Sequence, residues 1–280
     1  MNWSPGWVRG HWSALFRTVA LCLLGMAVLF PIYWMLVIAI TPTGFSRSLP
    51  SIFPQTVTWE NFTSLFADRP MARWLVNSIV VATLASFLSL VFGTSCGYVL
   101  SKLKFRGAGL IMIGVLVTQM MPGTSIIVPL YILFRDVGLL DTMSGMVVGH
   151  ISLVIPIAIW MSKGFFDRIP PDLEASARID GCTRLGAYFH VSLPLALPGL
   201  AAIFIYGFVT SWHDFLFAHS LVHSQQLWTA ANGITSFRGQ YFTLHELQMA
   251  AALVFALPVI IVFVVMQRWI VSGAMTGSVR

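Results

Sequence analysis

Acidic residues are scarce in this chain, ten in 280, and four of them fall in one polar stretch, 163–199. Within it, Pro170 and Pro171 suit the first turn of a helix, where a missing N–H costs nothing. Asp172 and Glu174 complement the positive end of that helix, and Glu174 stands one turn before Arg178 for an i,i+4 pair. Gly181 ends it, because a left-handed position just past a helix is costly for any residue with a Cβ. A helix from about 171 to 180 has under three turns and is marginal alone. Ile169, Leu173 and Ala177 are therefore expected to pack on the rest of the protein or on a second helix near 183–191, with Glu174, Arg178 and Asp180 left for a partner. The bland alternative is a connector, but a plain connector would be shorter.

A second group lies in the apolar run 199–221. Asp214 is the one acid within any long apolar run, and an unpaired carboxylate in lipid is expensive, so it must face a partner, a wet cavity or the membrane edge. Tyr206, Trp212, His213 and Asp214 are the candidates for a substrate pathway. An aromatic face beside an acceptor suits the hydroxyls of a neutral polyol and disfavours anions. The competing reading has Asp214 capping or bracing a helix and Trp212 acting as an anchor. His150 stands in another apolar run, where one interhelical hydrogen bond would satisfy it. His219 and His223 have i,i+4 spacing, but two histidines without HExxH or a nearby Cys make no zinc site. Cys22, Cys96 and Cys182 are scattered and give no disulfide framework and no metal spacing.

The elements that must position these groups are membrane helices. The chain is 57% hydrophobic and 9% charged, with a mean hydropathy of +0.83, far from a soluble domain. Six apolar runs, at 18–40, 75–100, 110–134, 143–161, 199–221 and 247–271, are each near the ~20 residues that cross a bilayer core. Each is expected to be a helix, since lipid offers backbone groups no partner. The first follows Arg9 and Arg17 like a signal peptide, but it is too long for one and lacks a small-residue cleavage site, so it is read as a retained span. Eleven Lys and Arg fall on the side of both termini and five (Arg47, Arg69, Arg73, Arg135 and Arg238) on the other, which puts both termini in the cytoplasm. The formal charge of +6 follows from this spread through short loops and does not form a face for nucleic acid. Pro31, Gly93, Gly97, Pro122, Gly123, Pro129 and Pro156 fall within the runs and predict bends and close helix approach. Residues 58–66 are expected to form a short amphipathic helix with Phe62, Leu65 and Phe66 on one face.

The run Glu174-Ala-Ser-Ala-Arg-Ile-Asp180-Gly181, followed by Phe189, then Leu193-Pro194-Leu195 and Pro198-Gly199-Leu200, resembles the EAA motif of bacterial binding-protein-dependent ABC permeases. Ser176 and Cys182 stand where that family usually has Ala, and both stay small. Further segments are similar to the sugar-importer branch, the maltose-type second permease. They are Trp59-Glu-Asn-Phe62 through Trp74-Leu-Val-Asn77-Ser78, Pro122 through Phe134 to Gly138-Leu-Leu-Asp141-Thr142, and Trp212-His-Asp-Phe215-Leu-Phe-Ala218. His213 stands where Asn is usual. The tail from 272 to 280 resembles only loosely the glycine-rich tail of those permeases.

The resemblance implies an all-α membrane protein with the six-helix type I ABC importer (MetI-like) permease fold. It implies one permease domain over 1–280, with a five-helix core at 75–271 that contains the coupling loop 163–199. Glu174, Ala175, Arg178, Asp180, Gly181, Phe189 and Pro194 would be the ATPase-coupling residues. The implied partners are two copies of an ATPase subunit, a second and unlike permease, an extracytoplasmic sugar-binding protein, a carbohydrate and membrane lipid. The chain itself would bind no cofactor, with ATP and Mg held on the ATPase; consistently, the sequence has no GxxxxGK[ST] phosphate loop. The expected location is the bacterial inner membrane. A non-sugar cargo such as glycerol phosphate or a polyamine is an alternative within this class. An ion-coupled secondary transporter is opposed by the shortage of intramembrane acids and by the lack of a repeat. A membrane-embedded enzyme is opposed by the absence of GxSxG, HExxH or paired intramembrane aspartates.

Overall fold

The computed structural model describes residues 6–43, 52–54, 56–237 and 244–276, with side chains from 16 to 268 within those ranges. Arg47, Arg238 and Arg280, which enter the charge asymmetry, and the tail beyond Thr276 lie outside the described residues. The described residues form helices joined by short turns, with no strand among them: α1 (Gly6–Ala39), α2 (Glu60–Ala67), α3 (Met71–Lys102), α4 (Ala108–Met120), α5 (Gly123–Asp136), α6 (Met143–Asp167), α7 (Pro171–Ile179), α8 (Arg184–Ala187), α9 (Leu193–His213), α10 (Leu216–Leu221), α11 (Ala230–Thr235) and α12 (His245–Thr276). Five helical segments, within α1, α3, α6, α8 through α9, and α12, are long and apolar enough to cross a membrane, and the bent pair α4–α5 makes a sixth.

The third apolar run is therefore broken: α4 and α5 meet at 101°. The cause is local. Pro122 pushes Met121 before it out of the helical region, to φ −76 and ψ 128, and then itself caps α5 from an extended conformation. The fifth run, expected at 199–221, is displaced toward the N-terminus: the span runs Arg184–His213, and Asp214 turns extended before α10 begins.

The chain forms two compact units, residues 1–69 with 237–254, and residues 70–236 with 255–280. In the first, α2 is held by Asn61, whose amide donates to the carbonyls of Ala39 and Thr41, both at 2.8 Å. Its buried face is Asn61 and Leu65 while Phe66 is exposed, so of the apolar face expected for 58–66 (Phe62, Leu65 and Phe66) Leu65 is buried beside a polar anchor, Asn61.

In the second unit α3, α6 and α9 pack directly on one another. Gly93 and Gly97 permit this on α3: a Cβ on Gly93 would lie 2.6 Å from Ala158 Cβ, and one on Gly97 would lie 2.0 Å from Ser162 Oγ. The Ser162 hydroxyl donates across this seam to the Gly93 carbonyl at 2.9 Å. At the opposite end of α3, the Trp74 indole donates to the Gln225 carbonyl at 3.0 Å. Asn77 donates to the carbonyls of Gln226 and Trp228, both at 2.9 Å. The N-terminal end of α3 is thus occupied in holding the polar segment 225–228.

Candidate functional site

The polar stretch after α6 folds as expected and then turns in an unexpected direction. Pro171 opens α7, and Asp172 and Glu174 lie in its first turn. Gly181 takes φ +96, and two reversed hydrogen bonds close the helix, Cys182 N–H to Ala177 O at 2.9 Å and Gly181 N–H to Arg178 O at 3.3 Å. The Thr183 hydroxyl then accepts from Gly186 N–H at 3.0 Å to start α8. Between α8 and α9 the chain makes one wide π turn over Tyr188–Ser192, with Leu193 N–H bonded to Tyr188 O. A ring at Pro194 would strike the carbonyl four residues back in a regular helix, and the wider turn relieves that clash.

Glu174 points inward. One carboxylate oxygen accepts from the buried Ser192 hydroxyl and the other from the Tyr98 hydroxyl at 3.2 Å. Tyr98 stands on α3, edge-on to Phe166 at 5.5 Å and against Tyr188 at 4.6 Å. Three further bonds tie the loop to the same end of the bundle. Lys102 Nζ donates to Ile169 O at 2.6 Å, and Asp167 accepts from Ser101 at 2.7 Å and from Lys163 at 2.6 Å. Beneath them Phe166, Ile169, Tyr188, Ala196, Leu200 and Ile203 form one buried cluster. Burying each large side chain there contributes about 1.5–3 kcal/mol. α7 itself buries no residue, so this short helix is held through Ile169 and Tyr188 in the flanking chain and through the two bonds to Glu174.

The outward side carries bare apolar residues among charged ones. Ile179 is 86% exposed, Leu185 67%, Phe189 53% and Leu173 44%. Leu173, predicted to pack on the rest of the protein or on a second helix near 183–191, stays exposed and outside the buried cluster, whereas Ile169 lies within it. Ala175, Arg178, Asp180 and Pro194 are exposed, and Phe189 leans on Tyr188 at 4.8 Å. Of the residues expected to face a partner, Glu174 alone is turned into its own subunit.

The second candidate group separates. Trp212 is buried, stacked on Phe208 at 5.6 Å and Phe255 at 5.1 Å, with its indole N–H donating to Phe255 O at 3.2 Å. The expectation that it presents a ring to substrate is not met, because packing has filled that space. Asp214 lies past the end of α9 and accepts from the backbone N–H of Phe217 and Ala218 at 3.0 and 3.1 Å, capping α10. The same oxygen is 3.3 Å from Nε2 of the fully buried His150, too poorly aligned for a hydrogen bond, while Nδ1 of His150 contacts Met146 O at 2.7 Å. Tyr206 and His213 remain exposed on α9, His213 edge-on to Phe255 at 5.7 Å. His219 and His223 have different neighbours: His219 contacts Asn232 Oδ1 at 2.9 Å, and His223 lies near Tyr131.

Sequence reasoning missed Tyr98, Lys102 and Ser192 as the clamp on α7. Tyr98 and Glu174 are 76 positions apart, and nothing in the local pattern pairs them. It also missed Asp141, which stands at φ +54 and accepts from the backbone N–H of His223 and Ser224 at 3.0 and 2.9 Å and from the Ser224 hydroxyl. A non-glycine residue in the left-handed region is a local signal, but it is visible only in the structure.

Residues 89–275 match the profile of the family described as binding-protein-dependent transport system inner membrane component. The chain is 30% identical over 273 residues to the diacetylchitobiose uptake system permease protein DasC of Streptomyces coelicolor, covering 97% of this chain and 99% of that one. It is 32% identical over 272 residues to the trehalose transport system permease protein SugB of Mycobacterium tuberculosis, covering 96% and 97%. It is likewise 32% identical over 263 residues to the inner membrane ABC transporter permease protein YcjP of Escherichia coli, covering 93% and 94%. Among solved structures, a chain of a bacterial ABC transporter involved in the import of the acidic polysaccharide alginate superposes with a TM-score of 0.78 at 21% identity, covering 96% of this chain and 99% of that one. At that identity the likeness concerns the fold.

Proposed function

The chain belongs to the family of binding-protein-dependent transport system inner membrane components, and on that premise we propose that it carries a carbohydrate into the cell. It is a multi-pass permease subunit of the inner membrane and not an enzyme; ATP is hydrolysed by a separate subunit of the importer. The carbohydrate cargo is supported by the relatives, which are described as permeases for diacetylchitobiose and trehalose. Two ATPase copies engage this chain and an unlike second permease, with both termini cytoplasmic and ATP and Mg held on the ATPases. The observation that carries the reading is α7. It is a short helix clamped to its own bundle through Glu174, Tyr98 and Ser192, with Leu173, Ile179, Leu185 and Phe189 bare on the outside.

That arrangement can pass on force. A loop that merely touched an ATPase would yield when pushed, whereas this one is bonded to α3 and continuous with α9, so its displacement must move the spans. ATP and a loaded binding protein would each favour the outward-facing state, and hydrolysis would remove that bias. Tyr206 and His213 are the exposed α9 groups able to meet sugar hydroxyls, with Asp214 capping α10 just past the helix break beside them.

The test is a mild-detergent pull-down of the tagged full chain from its native membrane, followed by reconstitution. A Walker-motif ATPase and a second permease co-purifying, with ATP hydrolysis stimulated by one sugar-loaded binding protein, are expected. A chain that purifies alone and moves solute without ATP would overturn the proposal. A complex stimulated only by a polyamine or a phosphate ester would retain the importer and reject the carbohydrate.

A further inference from the structure

A cleft of about 490 Å³ opens between the end of α3, α7 and α8, lined by Tyr98, Lys102, Lys104, Glu174, Arg178 and Arg184. Four cations and one carboxylate thus come from α3, the turn after it, α7 and α8. The carboxylate is already engaged, since Glu174 accepts from both Tyr98 and Ser192. Lys102 donates to a neutral carbonyl, that of Ile169. Among the described residues Lys104, Arg178 and Arg184 form no ion pair. The cleft therefore keeps a surplus of positive charge, despite having an acid in its wall.

Its position indicates what chemistry fills it. Along α3 the residues leading to Tyr98 and Lys102 at helical spacing are Leu84, Phe87, Val91 and Ser95. The first three are 44%, 53% and 42% exposed, and Ser95 is exposed as well, its hydroxyl turned back to the Val91 carbonyl at 2.8 Å. An apolar stripe on a membrane helix thus ends at a basic cleft. A free phosphate would use the cations and leave the stripe idle. A glycerophospholipid uses both, with its phosphodiester against Lys104, Arg178 and Arg184 and an acyl chain along α3.

We propose that this cleft binds the headgroup of an anionic glycerophospholipid from the membrane leaflet on the side of α7. The lipid would form part of the seat of the coupling helix, touching α7 and α3 at once beside the Glu174 clamp. The proposal depends on membrane embedding and on the cleft, and not on the cargo or on ATP.

The test is native mass spectrometry of the purified full chain, titrated with phosphatidylglycerol and with phosphatidylcholine of the same acyl chains. The variant Lys104→Gln/Arg184→Gln leaves Glu174 and Arg178 in place, and Lys104→Arg/Arg184→Lys is its charge-keeping control. Each cation near an anionic lipid contributes about a fivefold gain. The Gln variant should therefore lose phosphatidylglycerol binding roughly ten- to thirtyfold, while phosphatidylcholine binding stays at the wild-type level and shows the fold to be intact. The control should keep the preference. Unchanged phosphatidylglycerol binding in the Gln variant would overturn the proposal, as would a wild-type chain without headgroup preference. Displacement of phosphatidylglycerol by millimolar inorganic phosphate would also overturn it, in favour of a soluble-anion site. None of these outcomes bears on whether the chain imports sugar.

Discussion

The Tyr98 hydroxyl donates to Glu174 at 3.2 Å, joining a membrane helix to the helix expected to meet the ATPase. Removing that hydroxyl leaves the carboxylate with the Ser192 bond alone. Hydrogen bonds to charged groups contribute about 1.5–3 kcal/mol, and partial exposure places this one near the lower end. Tyr98→Phe should therefore lower the thermal midpoint of the detergent-solubilised chain by a few degrees and raise the number of ATP hydrolysed per sugar moved. A double-mutant cycle with Glu174→Gln checks the origin: the two effects should not add if the bond is their common cause.

Gly181 tests the turn. A Cβ there would meet nothing within 4 Å, so crowding plays no part and only φ +96 resists substitution. Gly181→Val should cost about 1–2 kcal/mol locally and uncouple ATP hydrolysis from uptake with membrane insertion intact. Gly181→Asn, which tolerates the left-handed region better, should be milder. Equal and normal transport by both variants would argue against the turn as a coupling element.

Gly97 tests the seam between α3 and α6. An added Cβ would lie 2.0 Å from Ser162 Oγ and 2.8 Å from the Lys163 backbone nitrogen. Gly97→Ala should cost about 1–3 kcal/mol, seen as a lower yield of monodisperse protein and a lower thermal midpoint. Adding Ser162→Gly should recover part of the loss, and only part, because the backbone contact remains.

Asp141 sets a pH dependence. Hydrogen bonds from the Ser224 side chain and the Ser224 and His223 backbone hold its carboxyl below the ordinary carboxylate range, against a smaller opposing push from burial. A depressed folded-state pKa means that the stabilisation is present above the unfolded value near ~4 and is lost as pH falls through the folded value. Asp141→Asn keeps a residue suited to positive φ but removes the charge. Its stability should be lower than wild type at neutral pH and should converge with it as the solution is acidified, as measured by thermal melts from neutral pH to about pH 3.

The parts legible in the sequence are those set by local chemistry. Pro171, Asp172 and Gly181 marked α7 to within one residue because caps and first turns depend only on neighbours. The apolar runs marked the spans because lipid demands length. The break at Pro122 was visible as a proline, but its 101° angle depends on where α5 packs, against Phe217 and Leu221 far along the chain. Glu174 shows the same limit. Its charge and spacing with Arg178 suggested an outward residue, and a tyrosine 76 positions earlier reversed that. Trp212 reads as an amphipathic ring suited to a sugar, and only the stacking of Phe208 and Phe255 shows that it is core.

The length of α3 has a mechanical consequence. Its 32 residues span about 48 Å at ~1.5 Å each. One end is fastened to the α7 loop by Tyr98, Ser101 and Lys102, and the other holds residues 225–230 through Trp74, Asn77 and Ser78. A rod fastened at both ends and stiffened by α6 along its glycine seam behaves as a lever. A tilt of about 5° imposed at the loop displaces the far end by about 4 Å over that length, so a movement too small to break a hydrogen bond at one membrane surface is enough to part side chains at the other.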